Sequence, residues 1–189
     1  MTSSAKWSIV GVVVILAVLV AIVPQMLAGQ GQSESQGVED GFGEASTSII
    51  AQRPDCVAQG AAGVELPCMG GANGSGNDQA TVVNLWAWWC EPCRAELPVF
   101  DQFAQAHPEL NVIGVHADQN EANGAALLDD LGVNLASYQD DSNLFAGTLG
   151  LPSVVPITVI VNPQGAVVGT YPTPFESVEQ LEQAVSEVL

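Results

Sequence analysis

The chain has 189 residues, 48% of them hydrophobic and 13% charged, and its 21 acidic residues against three basic ones give a formal net charge of −18. That length holds one ordinary domain and something smaller, not two full domains. The acidity excludes a phosphate-binding surface, and nucleic acid with it, by Coulomb repulsion; its simplest meaning is solubility.

Lys6 precedes the apolar run Trp7 to Val23, "WSIVGVVVILAVLVAIV", and no charge follows until Glu34. A bilayer needs roughly 20 apolar residues, so residues 7–28 are expected to form a transmembrane anchor. The positive charge lies before this run and the acid after it, which predicts a cytoplasmic 1–6 and an extracytoplasmic remainder, single-pass in the plasma membrane. A cleaved signal peptide is the alternative. Pro24 follows the small-residue site Ala21-Ile22-Val23 and disfavours cleavage there.

Residues 29–52 open with "GQGQSESQGVEDGFG", too polar and glycine-rich to bury a core, and are expected to be a flexible linker. The folded domain is expected at 53–189, long enough for one core. Thr81 to Trp86, "TVVNLW", reads as a buried strand, and Cys90 to Ala106 as a helix that Pro98 should bend. Asn111 to Val115 reads as a strand and Glu121 to Leu131 as a helix ended by Gly132. A short strand at 136–138 and a short helix at 142–149 follow. Ile157 to Val161 and Ala166 to Thr170 form a hairpin across "NPQG", and Ser177 to Val188 closes the chain as a helix. This order predicts a three-layer α/β fold around a central mixed β-sheet.

Four cysteines stand at 56, 68, 90 and 93, and an exported location permits disulfides. A zinc site needs four ligands, and the wide Cys56/Cys68 spacing in a glycine-rich loop does not supply a second close pair. No metal and no cofactor is expected. Cys90 and Cys93 follow a strand and open a helix, where unpaired backbone donors and the helix dipole stabilise a thiolate. Cys90 is then the attacking sulfur, and Cys93 resolves the mixed disulfide. Pro92 sits in the first turn, where a missing N–H costs nothing. Glu91 places negative charge beside Cys90, opposes its ionisation and favours a reducing poise. Cys56 and Cys68 are expected to form a structural disulfide, a redox relay to the second pair being the alternative. His107 is expected to be solvated in a turn. His116 ends a strand with no metal or nucleophile beside it.

Val83 to Pro98, "VNLWAWWCEPCRAELP", resembles the thioredoxin superfamily in its membrane-tethered TlpA/ResA-like branch. The resemblance extends over nearly all of residues 81–189. It implies that Trp89 flanks the dithiol together with Glu91 and Pro92. It further implies that Pro98 is the helix-bending proline and that Val155-Pro156 is a cis element whose backbone receives an extended substrate strand. Asn84 stands where thioredoxins carry a buried Asp and cannot accept a proton from Cys93. The branch instead places a Glu three residues after the second cysteine, here Glu96, which is expected to be the acid/base or to select substrate; an ordinary surface glutamate is the alternative. The Cys56/Cys68 pair, with "LPCMGG" around its second cysteine, is similar to that of membrane-anchored thioredoxin-like actinobacterial proteins that support cytochrome c maturation.

The resemblance implies a protein-disulfide reductase acting on exported cysteine-containing proteins such as apocytochrome c, with a transmembrane electron donor as second partner. Three rivals stand beside it. They are an oxidase or isomerase of exported proteins, a peroxidase of the same fold, and a non-enzymatic binding module with an inert disulfide. The Pro-x-x-x-Thr-x-x-Cys setting of peroxidatic cysteines is absent before Cys90.

Overall fold

A computed structural model describes residues 50–189; the expected anchor and nearly all of the expected linker lie outside the described residues. Among the described residues no helix is long and apolar enough to cross a membrane. The described residues form seven strands and four helices in the order β1 (Gly60–Ala61), β2 (Val64–Glu65), β3 (Thr81–Trp86), α1 (Glu91–Ala106), β4 (Asn111–His116), α2 (Glu121–Asp130), β5 (Ser137–Gln139), α3 (Leu144–Leu149), β6 (Ile157–Val161), β7 (Val167–Tyr171) and α4 (Val178–Ser186).

Five strands form the main sheet in the order β5-β4-β3-β6-β7. β3 runs parallel to β4, and β4 to β5, while β6 is antiparallel to both β3 and β7. The mixed sheet follows from the connections: α1 and α2 are crossovers that return the chain parallel, whereas "NPQG" is a tight turn that reverses it. β3 is central and its last five residues are buried, which suits β-branched and aromatic side chains with packed layers on both faces.

Alternation along the strands separates two apolar layers. Val82 and Trp86 of β3 and Ile160 of β6 pack with Phe100 and Phe103 of α1, Leu128 of α2 and Leu181 of α4. Val83 and Leu85, with Ile157, Val159 and Val161, face the other way onto Phe145 of α3 and the N-terminal Val64 and Leu66. Burying a phenylalanine such as Phe100 stabilises the fold by about 1.5–3 kcal/mol. The expected three layers are therefore observed.

The small β1–β2 hairpin has no counterpart among the expected elements. Its segment continues into Pro67 to Met69, which covers the β5 edge: Gln139 N–H donates to the Pro67 carbonyl at 2.9 Å, and Met69 N–H to that of Ser137 at 2.8 Å. The Cys56–Cys68 disulfide closes the same segment. Arg53, 8% exposed, pins its start by donating to Asp129 at 2.5 Å and to the Val133 carbonyl at 2.6 Å. α1 runs on through Pro98 as one helix.

Candidate active site

The β3 strand ends at Trp86, and a turn closed by Cys90 N–H on the Ala87 carbonyl at 3.1 Å delivers the chain to α1. Cys90 is the N-cap of α1, with extended backbone (φ −85°, ψ 108°). Its sulfur occupies the place of a capping Ser or Asp oxygen: Cys93 N–H donates to Cys90 Sγ at 3.2 Å. Pro92 stands in the first turn, and Glu91 adds acid to the N-terminus, where the helix dipole tolerates it. This is a local arrangement that would hold a thiolate on Cys90.

Cys90 and Cys93 are joined in a disulfide, with 5.3 Å between their Cα atoms. Cys93 is fully buried and Cys90 is 4% exposed. The Val155–Pro156 peptide is cis, and the Val155 carbonyl oxygen lies 3.6 Å from Cys90 Sγ. Sequence-distant Val155 is thus set against the reactive pair by β6.

Trp89 is the exposed wall of the site, at 57%. Its indole N–H donates to Asp118 Oδ2 at 2.9 Å, and that of Trp88 donates to Asp118 Oδ1 at 3.1 Å. Partial burial works against the Asp118 carboxylate, but the Asn120 N–H and the two indoles outweigh it and hold the carboxyl below its usual value. A cavity of about 550 Å³ opens beside this wall, lined among others by Trp89, Asp118, Leu151, Val154 and Val155. Asp118 was not singled out from sequence; its place at the C-terminal end of a parallel strand, where α/β sheets hold their sites, is the signal that could have found it.

Glu96 lies one turn beyond Cys93 and is 1% exposed, not a surface glutamate. Asn84 Nδ2 donates to its Oε2 at 2.7 Å, and Phe175 N–H donates to its Oε1 at 2.8 Å. Burial pushes the Glu96 carboxyl up to about 7, with the Phe175 and Asn84 hydrogen bonds opposing. A carboxyl so placed changes protonation near neutrality, the range useful for proton transfer.

The remaining candidates are placed elsewhere. Cys56 and Cys68 form their own disulfide, with 5.7 Å between Cα atoms. His107 is held by Glu109 at 2.8 Å and Glu182 at 3.1 Å. His116 is fully buried, paired with Gln139 Oε1 at 2.9 Å and packed on Trp86 with ring centroids 4.6 Å apart. Among the described residues no group of three or more His, Cys, Asp or Glu is arranged to hold a metal ion.

The mixed sheet, the disulfide at a helix N-terminus and the cis-proline facing it define a thioredoxin-like protein. The solved structure of a secreted Mycobacterium tuberculosis disulfide oxidoreductase homologous to E. coli DsbE superposes with a TM-score of 0.56 at 20% identity, over 65% of this chain and 93% of that one. The profile of the AhpC/TSA family matches residues 61–170, more than half of the chain, and the chain belongs to that family. Sporulation thiol-disulfide oxidoreductase A of Bacillus subtilis (strain 168) is 32% identical over 62 residues, 32% of this chain and 38% of that protein. The thiol:disulfide interchange protein DsbE homolog of Paracoccus denitrificans (strain Pd 1222) is 34% identical over 90 residues, 42% of this chain and 48% of that one. The chain thus spans less than half the length of these two relatives.

Proposed function

We propose that the protein is a thiol-disulfide oxidoreductase, anchored in the plasma membrane by residues 7–28, that reduces disulfides of exported proteins such as apocytochrome c. The observation that carries this reading is the Cys90–Cys93 disulfide capping α1, with the Val155 carbonyl 3.6 Å from Cys90 Sγ. In the reduced protein the Cys90 thiolate attacks a substrate disulfide and displaces one substrate sulfur as a thiolate. Cys93 gives its proton to Glu96 and attacks Cys90. The Cys90–Cys93 bond forms, the bond from Cys90 to substrate breaks, and the second substrate sulfur leaves. The substrate has gained two electrons and the protein dithiol has lost them.

Trp89, Glu91, Pro92 and Val155 form the surface against which the substrate chain lies, and buried Pro156 holds the Val155 backbone in place. The apolar wall of Trp89 and Val154 and the cavity beside it support docking of an extended segment. Glu91 is exposed next to Cys90 and supports the reducing direction through its charge. The electrons that restore the dithiol come from a membrane-spanning donor.

Two measurements test this. The reduction potential of the Cys90/Cys93 couple is expected near that of thioredoxin, about −270 mV; a value near about −120 mV makes the protein an oxidant and overturns the direction. A Cys93→Ser variant in the living source cell should trap its client as a mixed disulfide on Cys90, identifiable by mass spectrometry. Failure to trap any protein, with peroxide consumption by the wild type, would replace the reductase reading with the peroxidase one.

A further inference from the structure

Two buried polar atoms beneath the dithiol have no partner. Asn84 donates through Nδ2 to Glu96, but its Oδ1 is unpaired, and so is the Oγ1 of Thr158. Both residues are fully buried. They are direct partners in the antiparallel pairing of β3 with β6, and Val83, Leu85, Ile157 and Val159 beside them point to the opposite layer. Side chains so opposed stand with Cβ atoms about 4.5–5.5 Å apart, a gap that rotation of a hydroxyl-bearing side chain can close. A buried unpaired oxygen costs stability, so a core that keeps two of them side by side next to a carboxyl has a use for both.

The use follows from what Glu96 demands. As a carboxylate it only accepts hydrogen bonds, and Asn84 Nδ2 and Phe175 N–H satisfy it. Once protonated on Oε2 it donates from that oxygen while Oε1 still accepts from Phe175 N–H, and an Asn84 that still presents Nδ2 opposes donor to donor. The two ends of a carboxamide are nearly equal in size, so turning it over needs no extra room. We propose that Asn84 turns its carboxamide over as Glu96 gains and loses a proton, and that Thr158 is the positioning residue that makes both orientations tenable. With Glu96 ionised, the Thr158 hydroxyl donates to Asn84 Oδ1. With Glu96 protonated, Oδ1 accepts from Glu96 and Thr158 accepts from Nδ2. An aspartate at position 84 would bring a second titrating charge, and an apolar residue would offer neither end.

The relay rests on the reading of Glu96 as the proton acceptor of Cys93. In the resolving step the Cys93 proton passes to a Glu96 oxygen, the Cys93 thiolate bonds to Cys90, and the substrate thiolate leaves. Asn84 then turns over, and the reverse turn follows when Glu96 releases its proton. The ionisable groups on the surrounding elements are Cys90 at the N-cap of α1, Glu91, Cys93, Arg94 and Asp101 on α1, His116 on β4, Tyr171 on β7, Glu176 next to Phe175, and Glu179 and Glu182 on α4. Neither of the groups hydrogen-bonded to Glu96 is itself charged, so the charge of Glu96 is handled by neutral dipoles.

The test uses the full chain as wild type, Thr158→Val and Thr158→Ser. In the oxidised wild type, the Asn84 side-chain amide resonances should move with pH at the same midpoint as the Glu96 carboxyl carbon. In Thr158→Val the Glu96 midpoint should move, the amide response should be lost, and reduction of insulin disulfides near neutral pH should fall about tenfold, in keeping with one unsatisfied buried group. Thr158→Ser should restore both. An Asn84 amide that ignores the Glu96 titration in the wild type overturns the relay, as does a Thr158→Val protein that titrates and turns over like the wild type. Glu96→Gln separates the two readings: a pH profile of turnover unchanged in that variant refutes Glu96 as the proton acceptor, whatever the Asn84 amide does.

Discussion

Replacing Glu96 by Gln should change how stability depends on pH, and the structure sets the size. The Glu96 carboxyl stands at about 7 in the folded protein against an ordinary 4.5, raised first by burial. That difference corresponds to about 3 kcal/mol at about 1.4 kcal/mol per pH unit. At 1% exposure the side chain is screened little by solvent. The sign is fixed by proton count. Between pH 4.5 and about 7 the folded chain holds a proton on Glu96 that the unfolded chain has released, so stability falls as pH rises. The contribution is complete below 4.5 and is lost as pH passes through about 7. Glutamine cannot ionise, still accepts from Phe175 N–H, and can donate to Asn84 Oδ1. Urea denaturation of the oxidised proteins from pH 4.5 to 8.5 should therefore give curves that nearly coincide at the acid end. They should separate to about 3 kcal/mol in favour of Glu96→Gln at the alkaline end. Parallel curves across that range would refute the assignment of a neutral, buried Glu96.

Removing the N-terminal disulfide in a Cys56→Ala, Cys68→Ala double variant should cost about 3 kcal/mol in urea denaturation, from the entropy of the loop it closes, while leaving the Cys90/Cys93 potential unchanged. A potential that moves with it would favour the relay alternative for Cys56 and Cys68. Arg53→Ala should destabilise by about 2 kcal/mol through the lost bonds to Asp129 and the Val133 carbonyl, and raise amide exchange at Gln139 and Met69 on the covered β5 edge. The His107 imidazole is held above its ordinary 6.5 first by its bond to Glu109 and then by Glu182. Its NMR titration should show that, and Glu109→Gln should lower the midpoint more than Glu182→Gln does. The stability this clasp adds is present below pH 6.5 and lost as pH rises through the folded value.

The parts of the fold legible in the sequence were those with a strong periodic signal. "TVVNLW", "NVIGV" and "ITVIV" are dense in β-branched residues and fall where β3, β4 and β6 lie; the helix after Cys90 was placed to within a residue at its start, and its C-terminal end was met. The β1–β2 hairpin was not legible, because two-residue strands carry no alternation and their glycine-rich surroundings read as loop. Ala62 at φ 50° and Gly63 at φ 77° make its turn by left-handed geometry, which composition does not reveal in an alanine. At the site, Cys90 and Cys93 announce themselves by spacing and context. The groups around them do not. Asp118 follows β4, Thr158 lies in β6 and Phe175 lies ahead of α4, and only the fold brings them to the Trp88 and Trp89 indoles, to Asn84 and to Glu96 respectively. His107 is expected to be solvated; of its two carboxylate partners Glu109 is two residues away, but Glu182 is 75 residues away and beyond any local pattern.

Placing the acid on α1 instead of β3 has a mechanical consequence. A carboxyl at position 84 would be fixed by a central strand, hydrogen-bonded on both sides to β4 and β6. Glu96 instead shares a helix with Cys93, so any motion of α1 that accompanies opening of the Cys90–Cys93 bond carries acid and sulfur together. Asn84, held in the strand, becomes the fixed reference against which the pair moves. Its bond to Glu96 at 2.7 Å and the Phe175 N–H at 2.8 Å are the contacts such a motion must stretch. Both are stronger to a carboxylate than to a neutral acid, because charge-assisted bonds are roughly twice as strong as neutral ones. In the resolving step we propose, the proton that Glu96 takes from Cys93 weakens both of these bonds as the dithiol closes. On that proposal, proton transfer and release of the substrate are coupled through the Asn84 and Phe175 hydrogen bonds to Glu96.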